Sequence, residues 1–311
     1  MTLRSAALRV EAASIEFQNP VLLAAGTAAF GRDLAGVMNL ESLGGIVTKA
    51  VSPEPRAGAP APRVAEFDGG MINAVGLANP GLQGVKDTDL PWLAANVRGP
   101  RVIVNVVGRS IEDFAIVVAE LSGVDRVDAF ELNVSCPNVK AGGLEFGADA
   151  DALGALVKGA RDETDKPLFV KLSPTLPAIA NTARTAVDAG ADGLTLVNTM
   201  PGMVIDVERR RPALGFGSGG VSGPGLLPVG VLAVWKVSRA VNVPLIGVGG
   251  VARGTDAVQY LMAGASLVAI GTAALRDPRT PERVVGELKA WCETHDVTRV
   301  SDIVGSLEWQ S

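Results

Sequence analysis

Short runs of β-branched and other apolar residues alternate along this chain with amphipathic stretches of helical spacing, and this alternation limits its fold more than any other feature. Strands are predicted at Val21–Gly26, Gly45–Lys49, Val102–Val107, Ala129–Val134, Leu168–Leu172, Gly193–Asn198, Pro244–Val248 and Leu267–Ile270. Amphipathic helices are predicted at Ile111–Leu121, Asp151–Thr164, Ile179–Ala189, Leu226–Ala240 and Thr255–Ala263. Strands that alternate with crossover helices form a parallel sheet.

Eight such strands predict a (β/α)8 TIM barrel, because closing the sheet leaves no exposed edge strand. A doubly wound open sheet is the alternative.

No linker rich in proline and serine divides the 311 residues, so residues 1–311 are expected to form a single domain. Ala50–Leu77 and Met200–Pro224 are too long for simple connections, and long loops at the C-terminal face of a barrel commonly bind ligands. Gly190 and Gly264 follow predicted helices and are expected in the left-handed conformation.

Composition excludes several classes of function. The net charge of −5 argues against binding to nucleic acid or to an anionic membrane. Only two cysteines are present, Cys136 and Cys292, so a disulfide framework is not expected and a reducing cytoplasm fits best. No signal peptide or membrane-spanning run opens the chain. The one histidine, His295, excludes a clustered histidine metal site and is poorly placed for a Ser-His-Asp triad, so no metal is expected.

The ends of the predicted strands share amides, lysines and glycines rather than carboxylates. They are Thr48, Lys49, Asn105, Asn133, Lys171, Asn198, Thr199, Gly249, Gly250, Gly271 and Thr272. In barrels the C-terminal strand ends form the active site. Asparagine both donates and accepts hydrogen bonds, which suits a ring lined with N–H and C=O groups such as a flavin or a pyrimidine. Lysine would stabilise the anion of a reduced flavin, and glycines after the last two strands would let backbone N–H groups reach a phosphate.

Each of these residues taken singly also has a structural interpretation. Lys49 and Lys171 are compatible with solvated lysines, the asparagines with turns, and Cys136 with a small buried hydrophobe. Their convergence on one rim favours a binding site. Cys292 is interpreted as structural and His295 as a surface residue.

The segment Gly247–Ala252 fits the G-x-G-x-x-A dinucleotide fingerprint. It follows the seventh predicted strand, however, and no acidic residue ends the next strand to hold a ribose. NAD binding at this segment is therefore not favoured.

Longer motifs then match one family. Asn133–Gly143 reads NVSCPNVKAGG and resembles the central motif of class 1 dihydroorotate dehydrogenases. Further matching motifs, spread over roughly residues 15 to 275, are Asn19–Val21, Pro62–Arg63, Ile72–Gly81, Lys171–Pro174, Arg211–Pro212, Gly219–Pro224 and Gly247–Gly250. The part Asn138–Gly143 resembles the NAD-linked 1B subgroup. One departure is Gly58–Pro60, which reads Gly-Ala-Pro where the family often has Gly-Asn-Pro.

The resemblance implies FMN-dependent oxidation of dihydroorotate to orotate in pyrimidine (UMP) biosynthesis. It implies Cys136 as the base that removes the C5 proton while hydride passes from C6 to flavin N5. The substrate-binding residues that it implies are Lys49, Asn73, Val75, Gly76, Leu77, Asn133, Asn138, Asn198 and Thr199. The FMN-binding residues that it implies are Ala25, Gly26, Thr48, Lys49, Asn105, Asn133, Lys171, Val197, Ser222, Gly223, Gly249, Gly250, Gly271 and Thr272.

The 1B resemblance also implies a partner subunit that carries FAD and a [2Fe-2S] cluster and passes electrons to NAD, in a heterotetramer around a homodimeric core. Four alternatives stay open: a fumarate-linked 1A dihydroorotate dehydrogenase, a dihydropyrimidine dehydrogenase, a flavin-free barrel such as a sugar-phosphate isomerase or lyase, and a non-catalytic binding subunit. Dihydropyrimidine dehydrogenases tend to have histidine where this chain has Asn138.

Overall fold

The computed structural model of the chain describes residues 7–135 and 145–309. Its strands are β1 Val10–Ala12, β2 Ile15–Phe17, β3 Val21–Leu23, β4 Gly45–Val47, β5 Val64–Phe67, β6 Gly70–Asn73, β7 Arg101–Val106, β8 Ala129–Asn133, β9 Leu168–Leu172, β10 Gly193–Leu196, β11 Met200–Gly202, β12 Ile205–Asp206, β13 Arg211–Pro212, β14 Gly219–Ser222, β15 Leu245–Val248 and β16 Leu267–Ile270. Its α-helices are α1 Gly81–Gly84, α2 Leu90–Asn96, α3 Ile111–Ser122, α4 Ala150–Arg161, α5 Ile179–Asp188, α6 Leu227–Ser238, α7 Gly254–Ala263, α8 Thr272–Arg276 and α9 Thr280–Thr294.

Eight parallel strands from these ranges close into a barrel in the order β3-β4-β7-β8-β9-β10-β15-β16, and β16 pairs back to β3. The predicted (β/α)8 barrel is confirmed, and the open-sheet alternative is wrong. All eight predicted strands are present, although several end earlier than predicted. The first was predicted over Val21–Gly26, but pairing ends at Leu23 and a turn follows, in which the Thr27 N–H donates to the Ala24 carbonyl at 3.2 Å.

Helices cover the outer face of the barrel, so the barrel strands are buried on both faces. All five residues of β9 are buried, for example. Helix α4 contributes an apolar stripe at helical spacing, which comprises Leu153, Leu156, Val157 and Ala160. Asp149 caps this helix by accepting the Ala152 N–H at 2.8 Å. Gly190 and Gly264 have φ values of 109° and 115°, which confirms the predicted left-handed ends of α5 and α7.

The two long segments Ala50–Leu77 and Met200–Pro224 do not remain irregular. They pair with each other in a four-stranded antiparallel sheet of order β11-β14-β6-β5, in which Asn73 stands opposite Gly220. This small sheet lies at the C-terminal mouth of the barrel, since β5 and β6 follow β4 and β11 follows β10. Long loops were predicted here, but not a sheet.

A hairpin of β1 and β2 precedes the barrel and was also not predicted. It buries Phe17 completely, and a Cβ added to Gly45 at the start of β4 would lie 3.5 Å from the Phe17 ring. The hairpin therefore packs against the N-terminal end of the barrel, opposite the mouth.

Candidate active site

Three neighbouring strands place polar side chains at one level of the barrel. Lys171 on β9 is the register partner of Asn133 on β8 and of Thr195 on β10. Register partners in adjacent strands project to the same face of the sheet. Lys171 is only 7% exposed, and its ammonium group makes no hydrogen bond or ion pair with any described residue. A buried cation without a partner is costly, so this position favours an electron-rich or anionic ligand.

A second polar group lies inside the barrel around Glu131 on β8, which is 1% exposed. One carboxyl oxygen accepts from Asn105 Nδ2 and the other from Thr195 Oγ1, both at 2.7 Å. The Asn105 N–H donates to Thr48 Oγ1 at 3.2 Å. These hydrogen bonds connect four buried residues on four different strands or strand ends, and such a network holds its members in place.

Lys49 follows β4 and reaches toward Gly26, which follows β3. A Cβ added to Gly26 would lie 3.9 Å from Lys49 Nζ. Burial lowers the pKa of Lys49 below its ordinary value, and the positive charge of Arg63 lowers this pKa further. The structure thus brings together Lys49 and Gly26, two of the residues that the resemblance assigns to FMN.

A cavity of about 400 Å³ lies between the small sheet and the ends of β8, β9 and β10. Its lining residues are Ala59, Ala74, Gly76, Ser135, Glu145, Ser173, Asn198, Thr199, Pro201, Phe216, Ser218, Gly219 and Gly220. Three of the predicted substrate-binding residues therefore line it, namely Gly76, Asn198 and Thr199. A groove of about 510 Å³ between α5 and α6 is larger, but none of the predicted site residues lines that groove.

Hydrogen bonds attach further predicted residues to this cavity. Asn198 Nδ2 donates to Asn133 Oδ1 at 3.2 Å, and Asn198 Oδ1 accepts from the Thr199 N–H at 2.8 Å. Asn73 Nδ2 donates to the carbonyl oxygen of the lining residue Gly220 at 3.3 Å. Val75 and Leu77 flank Gly76 in the chain but are not among the lining residues.

The turns after β15 and β16 form a glycine-rich cradle. Gly249 and Gly250 have φ values of 126° and 73°, and a Cβ on Gly250 would lie 2.5 Å from the Leu227 nitrogen. Tyr260 donates its hydroxyl hydrogen to the Gly249 carbonyl at 2.8 Å. No described residue accepts a hydrogen bond from the Gly250 N–H. A turn with a free N–H group and no room for a side chain suits close approach of a phosphate.

The remaining predicted cofactor residues lie beside this cradle. Thr272, at the start of α8 after Gly271, donates its hydroxyl hydrogen to Ser222 Oγ at 2.7 Å. Gly223 has a φ of 114°, and a Cβ there would lie 2.7 Å from the Gly70 Cα. The small sheet therefore packs against the turn that follows β16.

Comparison with known proteins agrees with this geometry. The family model described as dihydroorotate dehydrogenase matches residues 7–291. The chain belongs to the dihydroorotate dehydrogenase family. Relatives named dihydroorotate dehydrogenase B (NAD(+)), catalytic subunit, include proteins from Pelobacter propionicus (45% identical over 301 residues), Geobacter sp. strain M21 (44% over 301 residues) and Alkaliphilus metalliredigens (43% over 300 residues). The matches cover 97%, 97% and 96% of this chain and 98% of each relative.

This membership confirms the family resemblance found in the sequence, and it makes the protein an oxidoreductase. Two residues assigned by the resemblance, Cys136 and Asn138, lie outside the described residues, so their roles stay predictions.

Residues 7–135 and 145–309 contain no helix long and apolar enough to cross a membrane. The same ranges contain no group of three or more histidine, cysteine, aspartate or glutamate side chains that could hold a metal ion.

Two cavity residues of this family member were missed in the sequence. Glu145 is half-buried in the cavity lining, and burial raises the pKa of its carboxyl group while a hydrogen bond from Ser173 lowers it. Ser135 also lines the cavity, and its fully buried Oγ has no hydrogen-bond partner among the described residues. Ser135 directly follows the predicted strand Ala129–Val134 but was given no role, whereas Glu145 lies 11 residues beyond that strand.

Glu131 was missed for a different reason. It lies inside a strand rather than at its end, between the buried Phe130 and Leu132. A single acidic residue within a strand that is buried on both faces was the available signal, because glutamate is almost never fully buried without partners. Cys292 is buried and His295 is exposed, which agrees with the interpretation of Cys292 as structural and of His295 as a surface residue.

Proposed function

We propose that this protein oxidises dihydroorotate to orotate with FMN as its resident flavin, as the catalytic subunit of an assembly that passes the electrons to NAD. The observation that carries the proposal is the position of Lys171. Its buried ammonium group, which has no described partner, stands level with Asn133, and Asn133 is hydrogen-bonded to Asn198 in the cavity wall. A site for an electron-rich ring thus borders a cavity of about 400 Å³.

The donors and acceptors of the barrel mouth fit a flavin. Amide groups match the N–H and C=O edge of its ring, and a lysine matches the negative charge that the ring gains on reduction. The glycine cradle, which an added Cβ would fill, matches its phosphate. The residues that would hold FMN are Ala25, Gly26, Thr48, Lys49, Asn105, Asn133, Lys171, Val197, Ser222, Gly223, Gly249, Gly250, Gly271 and Thr272. FMN would supply the acceptor for the hydride that leaves C6 of the substrate.

The chain's own residues supply binding, orientation and proton transfer. Asn73, Asn133, Asn138 and Asn198 would bind the polar edge of the substrate ring, with Thr199 assisting. The backbone N–H groups of Gly76 and Leu77, next to Val75, would bind the carboxylate, and Lys49 would contact both substrate and cofactor. Cys136 would remove the C5 proton. Since the ordinary pKa of a thiol is about 8.5, turnover should increase on the alkaline side of neutrality.

Transfer of the electrons to NAD would require a second protein. A [2Fe-2S] cluster is held by four cysteine thiolates, and this chain has only two cysteines. The relatives named above are called NAD(+) catalytic subunits, which supports a partner subunit that carries FAD and the cluster. The assembly proposed is a heterotetramer around a homodimeric core of this chain.

The test begins with the purified chain. A flavin absorption spectrum and reduction of an artificial dye by dihydroorotate, with little activity on dihydrouracil, are the expected results. A colourless protein that binds no added FMN would reject the flavin, and a preference for dihydrouracil would reject the substrate. Reduction of NAD only when the FAD/iron–sulfur subunit is present supports the B-type assembly. Reduction of fumarate by the chain alone would reject that part of the proposal.

A further inference from the structure

We propose that Glu131 is a positioning residue that orients the side-chain amide of Asn105 for hydrogen bonding to the flavin ring. The inference rests on the proposed binding of FMN and adds a residue that would not touch the flavin itself. Glu131 would act through Asn105, its register partner on the neighbouring strand β7.

The hydrogen bonds around Glu131 dictate how the Asn105 amide lies. Both carboxyl oxygens act as acceptors, one toward Asn105 and one toward Thr195, each at 2.7 Å. An acceptor can pair only with the NH2 end of an asparagine amide, so Nδ2 of Asn105 must face Glu131. The carbonyl end, Oδ1, is then the group that Asn105 presents on its other side.

That carbonyl oxygen is available to a ligand. No described residue donates a hydrogen bond to Asn105 Oδ1, whereas Nδ2 and the backbone N–H of Asn105 both have partners. Asn105 is 1% exposed overall, so an unpaired Oδ1 is costly there and favours a ligand that donates to it. The Asn105 N–H donates to Thr48 Oγ1, and Thr48 directly precedes Lys49, which lies at the mouth of the barrel.

The orientation decides which ligand atom can pair there. With Oδ1 turned away from Glu131, Asn105 accepts a hydrogen bond from a ring N–H; after rotation of the amide by half a turn it would offer a donor instead. A mismatch leaves two buried groups unpaired, which costs more than a simple loss of contact. Glu131 can therefore influence flavin affinity without any contact to the flavin.

The first experiment compares apoprotein variants by titration with FMN and with riboflavin. Glu131→Leu releases the amide of Asn105 and should weaken the binding of both FMN and riboflavin about tenfold, in line with the loss of one hydrogen bond. It should also shift the visible absorption bands of the bound flavin. In an Asn105→Ala background the same substitution should cost no further affinity, because the residue through which Glu131 acts is gone. A loss that persists in that background would overturn the proposal, as would unchanged affinity of Glu131→Leu alone.

A second pair of variants avoids the risk that Glu131→Leu fails to fold. In Glu131→Gln, the glutamine can accept from Asn105 while it donates to Thr195 Oγ1, so flavin affinity should stay within about threefold of the wild type. Adding Thr195→Val removes that acceptor, and the glutamine can then turn its NH2 group toward Asn105. Thr195→Val should therefore leave flavin affinity unchanged when Glu131 is present. In the Glu131→Gln background, the same substitution should weaken flavin binding about fivefold. Equal effects of Thr195→Val in both backgrounds would overturn the proposal.

Thr164→Val is the matched control for a purely structural loss. Thr164 is buried and accepts a hydrogen bond from Ser122 Oγ at 2.7 Å, near the start of β9 and away from the mouth. This variant should lower the melting temperature and leave flavin affinity and spectrum unchanged. If wild-type apoprotein binds no FMN, the proposed function fails; if it binds FMN and the variants behave additively, only the role of Glu131 fails.

Discussion

Lys171 and Asn133 are register partners on adjacent barrel strands. This pairing places the lysine proposed to contact the flavin beside an asparagine that is bonded to the cavity wall. Asn133 accepts a hydrogen bond from Asn198 in the wall of the cavity, whereas Lys171 is 7% exposed and its ammonium group has no described partner. The two side chains lie 38 positions apart in sequence, from 133 to 171, and only the barrel makes them neighbours. The electrostatic role of Lys171 is therefore the first property to test.

Lys171→Met should slow flavin reduction by dihydroorotate about a hundredfold, because the charge that stabilises the reduced ring is removed. The apoprotein should be at least as stable as the wild type, since an unpaired buried ammonium is lost. Stopped-flow absorbance and urea unfolding measure the two effects. Lys166→Met is the control: its ammonium donates to the Val124 and Val127 carbonyls at 2.6 Å, so it should lose stability but reduce flavin normally. Normal reduction in Lys171→Met would contradict the assigned role.

Cys136→Ala should retain bound flavin and lose at least about a hundredfold in turnover, the lower range for removal of a general base. The dye-linked assay with dihydroorotate measures turnover, and the absorption spectrum verifies that flavin remains. Turnover close to that of the wild type would remove Cys136 from the proposed mechanism.

Gly250→Ala should destabilise the protein by about 1–3 kcal/mol, because alanine is strained at a φ of 73° and its Cβ would meet the Leu227 nitrogen. It should also weaken the binding of FMN more than that of riboflavin, since the turn is proposed to bind the phosphate, which riboflavin does not have. Gly123→Ala is the control: φ is −80° and no atom lies within 4 Å of the added Cβ. Equal losses for FMN and riboflavin would place the phosphate elsewhere.

Lys49 predicts a specific dependence of apoprotein stability on pH. Its pKa in the folded state is lowered, chiefly by burial, below the ordinary value of 10.5. Between the lowered pKa and pH 10.5 the unfolded chain binds more protons than the folded one, so this residue makes the free energy of unfolding rise with pH in that window. Lys49→Met should be more stable than the wild type at neutral pH, and the difference should shrink as pH rises through the window. Urea unfolding of both apoproteins at a series of pH values measures the difference, and a constant difference up to pH 10.5 would contradict the effect.

The barrel strands were predictable from local pattern alone. Leu168–Leu172 and Leu267–Ile270 were predicted to the residue, since each is a short, mostly apolar run with a clear start. The predicted strand at Gly193–Asn198 ends two residues too late, since β10 ends at Leu196, although the N–H groups of Val197 and Asn198 still donate to the Val248 and Leu172 carbonyls at 3.0 and 2.9 Å. Apolar character marks burial and does not determine where regular strand geometry ends.

The small sheet over the mouth was not predictable in the same way. Asn73 and Gly220 are 147 residues apart, and the glycine-rich strand Gly219–Ser222 has no alternation of apolar and polar residues. The contacts of Glu131 are also distant in sequence, since its partners Asn105 and Thr195 lie 26 and 64 residues away. Local periodicity carries no information on such pairs.

The sequence by itself determined the barrel, the family and the set of residues at the strand ends, because these depend on local apolar pattern and on motifs of consecutive residues. Only the tertiary structure decided which of those residues meet, that a small sheet helps to enclose the cavity, and that a buried glutamate orients an asparagine beside it. The physical reason is that hydrogen bonds and burial depend on distances in space, and closing a barrel brings together residues that the chain keeps far apart.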